Sequence, residues 1–175
     1  MNILQTIWSA LTTPNETLFK TITIPLNYLD VFIAMLFFTT LLNIETTKKR
    51  KLIYVLTYGT LAVIFNFVIP TSYTVFINIF VWPLMIFFIL KTTVLKSILS
   101  VVLTMSATSL IEFLYSSILF CLFKIDYNLI MTTPLYRLVM ILSIYFIMFL
   151  LYKLIKYLKI NIKVFENLNR KTKVL

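Results

Sequence analysis

The sequence predicts an all-α, polytopic transmembrane helical bundle of about five spans, with an N-terminal amphipathic helix at the membrane surface. Of its 175 residues, 61% are hydrophobic and 13% are charged, whereas soluble domains carry about 25% charged residues. The chain has one glycine, too few for the turns of a sandwich, a barrel or a doubly wound fold. Its apolar runs are continuous and lack a period of two, which argues against a transmembrane barrel.

Five apolar segments account for the predicted spans. A hydrocarbon core about 30 Å thick is crossed by a helix of about 20 mainly apolar residues. The third segment contains Pro83, where we expect a kink, and the fourth is long enough to be tilted. Together the segments form a predicted bundle over residues 25–158, with spans at 25–44, 52–70, 73–90, 97–123 and 134–158.

The two flanking regions carry amphipathic and basic patterns. Residues 1–24 are predicted to form a surface helix and a linker, with Trp8 at the headgroup level, although the same apolar side chains could equally pack over the bundle. Residues 159–175 form a basic cytoplasmic tail. Lysines on one helical face are expected to contact an anionic inner leaflet or to carry a signal into a following domain. They are Lys153, Lys156, Lys159 and Lys163.

The distribution of basic residues predicts the orientation. With the N-terminus outside and the C-terminus inside, 13 of the 16 Lys and Arg residues lie on the inner side of the five predicted spans. The other three are Lys20, Lys124 and Arg137. Because inner loops of membrane proteins are enriched in Lys and Arg, we expect a multi-pass protein of the bacterial cytoplasmic membrane in this orientation.

Residue counts exclude most enzyme classes. The chain has no histidine and one cysteine, Cys121, so histidine catalysis, a histidine or cysteine metal site and an internal disulfide lack the necessary residues. One glycine, Gly59, cannot provide a GxGxxG or Walker loop. We therefore expect no enzymatic activity, no metal and no cofactor for this chain. Membrane topology explains the net charge of +10, so we expect a lipid bilayer and no nucleic acid as its partner.

Two ionisable side chains near the outer ends of spans are candidates for ligand binding or helix coupling. Asp30 and Arg137 each lie about one turn below the outer end of a predicted span, in spans one and five. Charges in a membrane are costly and mark candidate functional positions. Their matched depth predicts an ion pair between the two spans. The alternative is that both side chains extend to water and headgroups.

Glu112 is the third such candidate and lies near the middle of span four. Ser109, Ser116 and Ser117 are spaced so that they can share its helical face. We expect this polar stripe to face the bundle interior. It would line a ligand pocket, report a helix movement, or hold helices together by packing.

The other polar side chains within the spans are interpreted as structural. Asn66 and Asn78 are expected to hydrogen-bond to each other across spans two and three. Tyrosines near the predicted interfaces are interpreted as membrane anchors. These are Tyr54, Tyr58, Tyr73, Tyr127, Tyr136 and Tyr152.

Three stretches of the chain resemble a known family. They are LQTIWSALTTPNETL near the N-terminus, FFTTLLNIETTKKRK at the end of span one, and TTPLYRL opening span five. Together they resemble the membrane sensor region of AgrC-like sensor histidine kinases with GHKL ATPase domains. The resemblance implies a bundle that receives an extracellular, often peptide, signal and a homodimeric kinase. This chain lacks the family's phospho-accepting histidine and ATP-binding boxes, so it corresponds to the sensor part alone. It is then a piece that continues into further spans and a kinase, the product of a truncated gene, or a stand-alone sensor-like protein.

The resulting hypothesis is an integral membrane sensor or receptor module of a two-component signalling histidine kinase. It would detect an extracellular signal such as a peptide, as in quorum sensing. Two alternatives belong to other classes. One is a small-molecule-binding subunit of a membrane transporter, and the other is a stand-alone structural or holin-like membrane protein.

Overall fold

The computed structural model describes residues 5, 9, 11–13, 16–69, 71–124 and 133–160. Within these residues the chain is all-α, as predicted, and five helices form the bundle. The predicted surface helix, including Trp8, lies largely outside the described residues, as do Lys163 and most of the basic tail. The helices are α1 (Glu16–Leu41), α2 (Lys48–Val68), α3 (Thr71–Leu90), α4 (Val94–Phe123) and α5 (Pro134–Leu158).

Threonine caps and left-handed residues set several helix ends. The Thr47 side chain accepts a hydrogen bond from the backbone N–H of Arg50 at the start of α2, and Thr93 does the same for Lys96 at the start of α4. Such caps satisfy N–H groups that the helix itself leaves without partners. At the carboxyl ends, four residues adopt a positive φ of about 50° and stop the helix. They are Asn43, Lys91, Lys124 and Lys159.

The observed helices match the predicted spans, with longer amino-terminal ends. α5 has the predicted bounds, whereas α2, α3 and α4 begin two to four residues earlier than expected. The largest difference is at α1, which begins at Glu16 rather than at residue 25 and ends at Leu41. Pro25 lies inside this helix because neighbouring helices let a membrane helix accommodate a proline. The kink expected at Pro83, inside α3, stays a prediction.

α2 and α3 run antiparallel, and α1 lies at the centre of the arrangement. Tyr58 contacts Asn78 while Tyr54 contacts Trp82, so positions fall along α2 as they rise along α3. α1 packs against α2 and α5 most extensively and also against α4. Its buried residues recur at helical spacing on this inward side. They include Val31, Ala34, Met35, Phe38 and Leu42.

Four of the helices are long and apolar enough to cross a membrane. The qualifying stretches are Thr21–Leu41, Lys48–Val68, Val94–Cys121 and Pro134–Leu158, while Phe76–Leu90 in α3 is a shorter apolar helix. Large apolar side chains such as Phe80, Phe88 and Tyr157 point outward. Because monomeric soluble proteins rarely expose large apolar patches, the molecule fits a lipid bilayer environment as a multi-pass membrane protein.

Candidate functional site

An aromatic stack joins α1, α2 and α3 in the interior of the bundle. The rings of Tyr54 and Tyr58 stack with their centroids 5.8 Å apart, and Tyr58 stacks on Trp82 at 5.6 Å. Phe38 of α1 meets Tyr54 edge-on at 6.1 Å. Residues one turn apart on a helix lie on the same face, which is why the i, i+4 pair on α2 can present both rings to α3.

Hydrogen bonds fix the polar ends of these rings. The indole N–H of Trp82 donates to the Tyr54 hydroxyl over 2.6 Å. The Tyr58 hydroxyl donates to the Asn78 side-chain oxygen over 3.4 Å. Both bonds link α2 to α3, and in a membrane each satisfies polar groups that lipid cannot. The side chains of Tyr54, Tyr58, Asn78 and Trp82 therefore form one unit. Together with Phe38, we call this unit the aromatic cluster.

Asp30 lies beside the aromatic cluster on α1. It is half-buried, and its carboxyl group is enclosed by protein. The carboxylate is within electrostatic reach of the hydroxyls of Tyr54 and Tyr58 on α2 and of Tyr145 on α5. No hydrogen bond, and no cation, in the described part of the chain compensates its burial. Because uncompensated charges are costly in a membrane, Asp30 is a candidate functional position at the junction of the three helices.

A second polar contact joins α1 and α2 further from the aromatic cluster. The Asn66 amide N–H donates to the Asn27 side-chain oxygen over 3.2 Å, and the Asn27 amide nitrogen is buried without a partner. Near it, the hydroxyls of Tyr28 and Thr60 lie 3.0 Å apart. Asn27 precedes Asp30 by three residues, so the two share the α1 face that meets α2.

A close backbone approach holds the Tyr28 ring in place. Gly59 is buried, and a Cβ atom added to it would lie 2.5 Å from Cδ1 of Tyr28. Only a residue without a side chain leaves room for this ring. The single glycine of the chain therefore serves the packing of α1 on α2.

The predicted ion pair between Asp30 and Arg137 is absent from the structure. Because α1 begins at Glu16, Asp30 lies about 21 Å along it at about 1.5 Å per residue. Arg137 lies in the first turn of α5. Asp30 faces Tyr145, which is about two turns deeper along α5 than Arg137. The prediction was wrong because the first span was assigned too late a start.

Glu112 also lies elsewhere than expected. Among the described residues, those of α4 alone line the surface around it, so no described helix covers the polar stripe that was expected to face the bundle interior. A different set of hydroxyls on α4 faces the interior, and each bonds to the carbonyl oxygen four residues earlier. They are Ser97, Ser100, Thr104 and Thr108.

The asparagine and tyrosine interpretations need correction as well. Asn66 and Asn78 do not hydrogen-bond to each other. Asn66 bonds to Asn27 of α1, whereas Asn78 bonds to Tyr58 of α2. Tyr54 is fully buried and Tyr58 is 5% exposed, so both are core residues rather than interfacial anchors. In contrast, Tyr73 and Tyr136 are exposed near helix starts, where an anchor would lie.

The described lysines at the end of α5 lie on the surface, and their contact with an inner leaflet stays a prediction. Lys153, Lys156 and Lys159 are exposed, and the Lys153 ammonium lies 5.4 Å from the centre of the Phe149 ring, within the range of a cation–π contact. Among the described residues, no three His, Cys, Asp or Glu side chains are placed to hold a metal ion.

The sequence indicates Asp30 as a candidate residue but does not indicate the residues that surround it in the fold. Trp82, Tyr145 and Asn27 were not singled out, because a polar aromatic in an apolar span resembles an interfacial anchor until its depth is known. The usable signal was the spacing of Tyr54 with Tyr58 and of Asn78 with Trp82, each pair one helical turn apart.

Comparison of the chain with family models, with curated proteins and with solved structures finds no match in any of the three. The resemblance of the three sequence stretches to sensor kinases therefore stands on those residues alone.

Proposed function

We propose that the chain is a membrane sensor or receptor module of a two-component signalling histidine kinase, which detects an extracellular signal such as a peptide. The observation that carries the proposal is the uncompensated Asp30 carboxyl group at the junction of α1, α2 and α5. A costly group that adds nothing to packing marks a functional position in a membrane. Here it lies where any relative movement of three helices changes its surroundings.

The packing around Asp30 supports a role in coupling helix movements. α2 and α3 are joined by the hydrogen bonds of the aromatic cluster, so they would move as a unit. α1 and α5 meet this unit at Asp30 and Tyr145. A signal that changed the contact of α1 with its neighbours would shift the equilibrium between two conformations of the bundle. The two conformations would differ in how well the Asp30 carboxyl group is solvated.

The orientation in this proposal follows from the basic residues. The N-terminus lies outside and the C-terminus inside the bacterial cytoplasmic membrane, with α5 carrying the signal inward. The exposed Lys153, Lys156 and Lys159 would then meet the anionic inner leaflet. A homodimeric kinase downstream is what the resemblance implies for the partner domain.

A chimaeric receptor tests this function. The full chain is fused to the cytoplasmic part of an AgrC-like kinase in a cell with a matching transcriptional reporter. The cells are exposed to culture supernatants of the bacterium that encodes the chain. We expect induction by a peptide-sized fraction and a change of at least tenfold in the response of the Asp30→Asn variant.

Two controls make the result decisive. Glu45→Gln removes an exposed carboxylate in the loop before α2 and should leave the response unchanged. The kinase with its own sensor and its own peptide shows that the reporter works. A chimaera silent to every fraction, in cells where this control responds, would refute the sensor proposal.

A groove between α3 and α4 favours one second candidate, the small-molecule-binding subunit of a transporter. It has a volume of about 720 Å³ and is lined by apolar residues, including Phe80, Pro83 and Val102. Ligand pockets have similar volumes and apolar linings. This function predicts that purified protein retains a small molecule through detergent exchange and that Val102→Trp abolishes retention, as mass spectrometry of the released ligand would show.

A further inference from the structure

A groove runs between α1 and α2 at the end of the bundle where α1 ends and α2 begins. It has a volume of about 280 Å³. Its lining residues recur at spacings of three and four on each helix, so each wall is a single helical face. They include Phe32 and Leu36 of α1 and Lys48, Lys51, Leu52 and Val55 of α2. We call this feature the basic groove.

The apolar part of the basic groove opens toward the surrounding bilayer. Phe32 is 43% exposed and Leu52 is 60% exposed, whereas Met35 between them is buried. Val55 follows Lys48 by seven residues, so the groove extends about 10 Å along α2 at about 1.5 Å per residue. One leaflet of a hydrocarbon core about 30 Å thick contains a groove of this length. The groove can therefore take part of an acyl chain from the side.

Both lysines of the basic groove lie at its end in the first turn of α2. Lys48 is the first residue of this helix, and Lys51 follows one turn later. The amino terminus of α2 adds the positive end of the helix dipole. The acidic side chain of the preceding loop, Glu45, is exposed, and within the described residues neither lysine forms an ion pair with it or with any other acid. The groove thus has an apolar body and an uncompensated cationic end.

Other basic side chains and the other interhelical groove differ from this arrangement. The Lys96 ammonium donates to the Asn43 carbonyl oxygen over 3.4 Å, and the Lys153 ammonium lies 5.4 Å from the centre of the Phe149 ring. The groove between α3 and α4 is larger, but none of its described lining residues carries a charge. The basic groove joins a cleft between two helices to two cations at one end, which is the pattern of an anionic amphiphile.

We propose that the basic groove binds one anionic phospholipid, with its phosphate group at Lys48 and Lys51 and part of an acyl chain along the apolar walls. Lysine stems follow apolar surface while their ammonium groups reach the headgroup level, and basic pockets between transmembrane helices bind anionic headgroups. A free phosphate would leave the apolar walls uncovered. A zwitterionic lipid would bring its own ammonium group toward the two lysines. This inference rests on the groove and not on the proposed sensor function.

Native mass spectrometry of the full chain tests the site. Protein purified in mild detergent and depleted of lipid is titrated with phosphatidylglycerol or with phosphatidylcholine of the same acyl chains. We expect one phosphatidylglycerol to bind at least about tenfold more tightly than phosphatidylcholine, because both lysines attract its net charge. The Lys48→Gln and Lys51→Gln pair should remove most of this preference. Glycerophosphoglycerol, the headgroup without acyl chains, should not displace the bound lipid.

Two matched controls separate the groove from general effects of charge and bulk. The Lys49→Gln and Lys91→Gln pair removes the same charge from exposed positions at the same end of the bundle and should keep the preference, because neither residue lines the groove. Leu52→Trp fills the groove with every charge retained and should weaken phosphatidylglycerol binding. Leu56→Trp, one turn along α2 at a position that is also exposed and outside the groove, should not. Circular dichroism compares the helix content of all variants.

Four outcomes would overturn the proposal. The first is equal binding of the two lipids by the wild-type protein. The second is an equal loss of preference in the two lysine pairs, and the third is unchanged phosphatidylglycerol binding in Leu52→Trp. The fourth is displacement of the lipid by glycerophosphoglycerol, which would assign the lysines to a soluble phosphate compound. A silent reporter chimaera changes none of these lipid measurements, so the two proposals fail separately.

Discussion

The indole N–H of Trp82 donates to the hydroxyl of Tyr54 over 2.6 Å and ties α3 to α2 inside the bundle. Tyr54 is fully buried and meets Phe38 of α1 edge-on. One hydroxyl thus lies where three helices meet. The stability of the bundle should therefore depend more on this hydrogen bond than on contacts between side chains at the protein surface.

Removing either partner of this hydrogen bond should destabilise the protein. Hydrogen bonds between membrane helices contribute about 0.6 kcal/mol on average and up to about 1.7 kcal/mol. We expect Trp82→Phe and Tyr54→Phe to show a coupling in that range in a double-mutant cycle. Thermal unfolding in mild detergent, followed by circular dichroism, measures it. Strictly additive effects of the two substitutions would contradict the bond.

Replacement of Gly59 should disturb the packing of α1 on α2. The added Cβ in Gly59→Ala would lie 2.5 Å from the Tyr28 ring, and displacing the ring would also break its contact with Thr60. Overpacking of this kind costs about 1–3 kcal/mol. The cost of Gly59→Ala should fall in a Tyr28→Leu background, as the same unfolding assay would show. An equal cost in both backgrounds would place the strain elsewhere.

Substitution of Asp30 should separate stability from function. Since no group in the described residues compensates its carboxyl, Asp30→Leu should stabilise the protein by about 1–3 kcal/mol while it impairs the response of the reporter chimaera. Functional residues commonly cost stability in this way. The exposed Glu45→Gln substitution serves as a neutral control in unfolding. A marked loss of stability in Asp30→Leu would instead reveal a partner for the carboxyl.

Cysteine labelling in intact cells should establish the topology, including whether α3 crosses the membrane. In a Cys121→Ser background, Tyr73→Cys and Lys124→Cys lie at predicted outer ends, and Lys91→Cys lies at the inner end of α3. All three positions are exposed. An impermeant maleimide should label the first two in intact cells and the third only after permeabilisation. Labelling of positions 73 and 91 from the same side would show that α3 does not span.

Much of the fold could be predicted because the bilayer imposes it locally. In hydrocarbon the backbone must satisfy its own hydrogen bonds, so a long apolar run becomes a helix whatever its neighbours are. The bounds of α5 were therefore obtained from the sequence directly. The start of α1 was not, because Pro25 resembles a boundary in the sequence but is accommodated inside the helix.

The rotation and depth of each helix were decided by the tertiary structure. The sequence places Asp30, Glu112 and Arg137 within the predicted spans. The predicted pair of Asp30 with Arg137 required both side chains to lie at the same depth, but α1 begins earlier than predicted, so Asp30 lies deeper. The period of a helix shows which residues share a face and not which face a neighbour covers. Ser97, Ser100 and Thr104 are therefore buried, while no described residue of another helix lines the surface around Glu112.

The sequence alone thus determined a basic, multi-pass helical protein, because composition and apolar run length act residue by residue. Only the packing of five helices decided that Tyr54, Tyr58 and Trp82 form an internal aromatic stack beside Asp30. Contacts of this kind join residues 20 or more positions apart. Their geometry depends on how every helix is rotated against the others, and no local pattern in the chain encodes it.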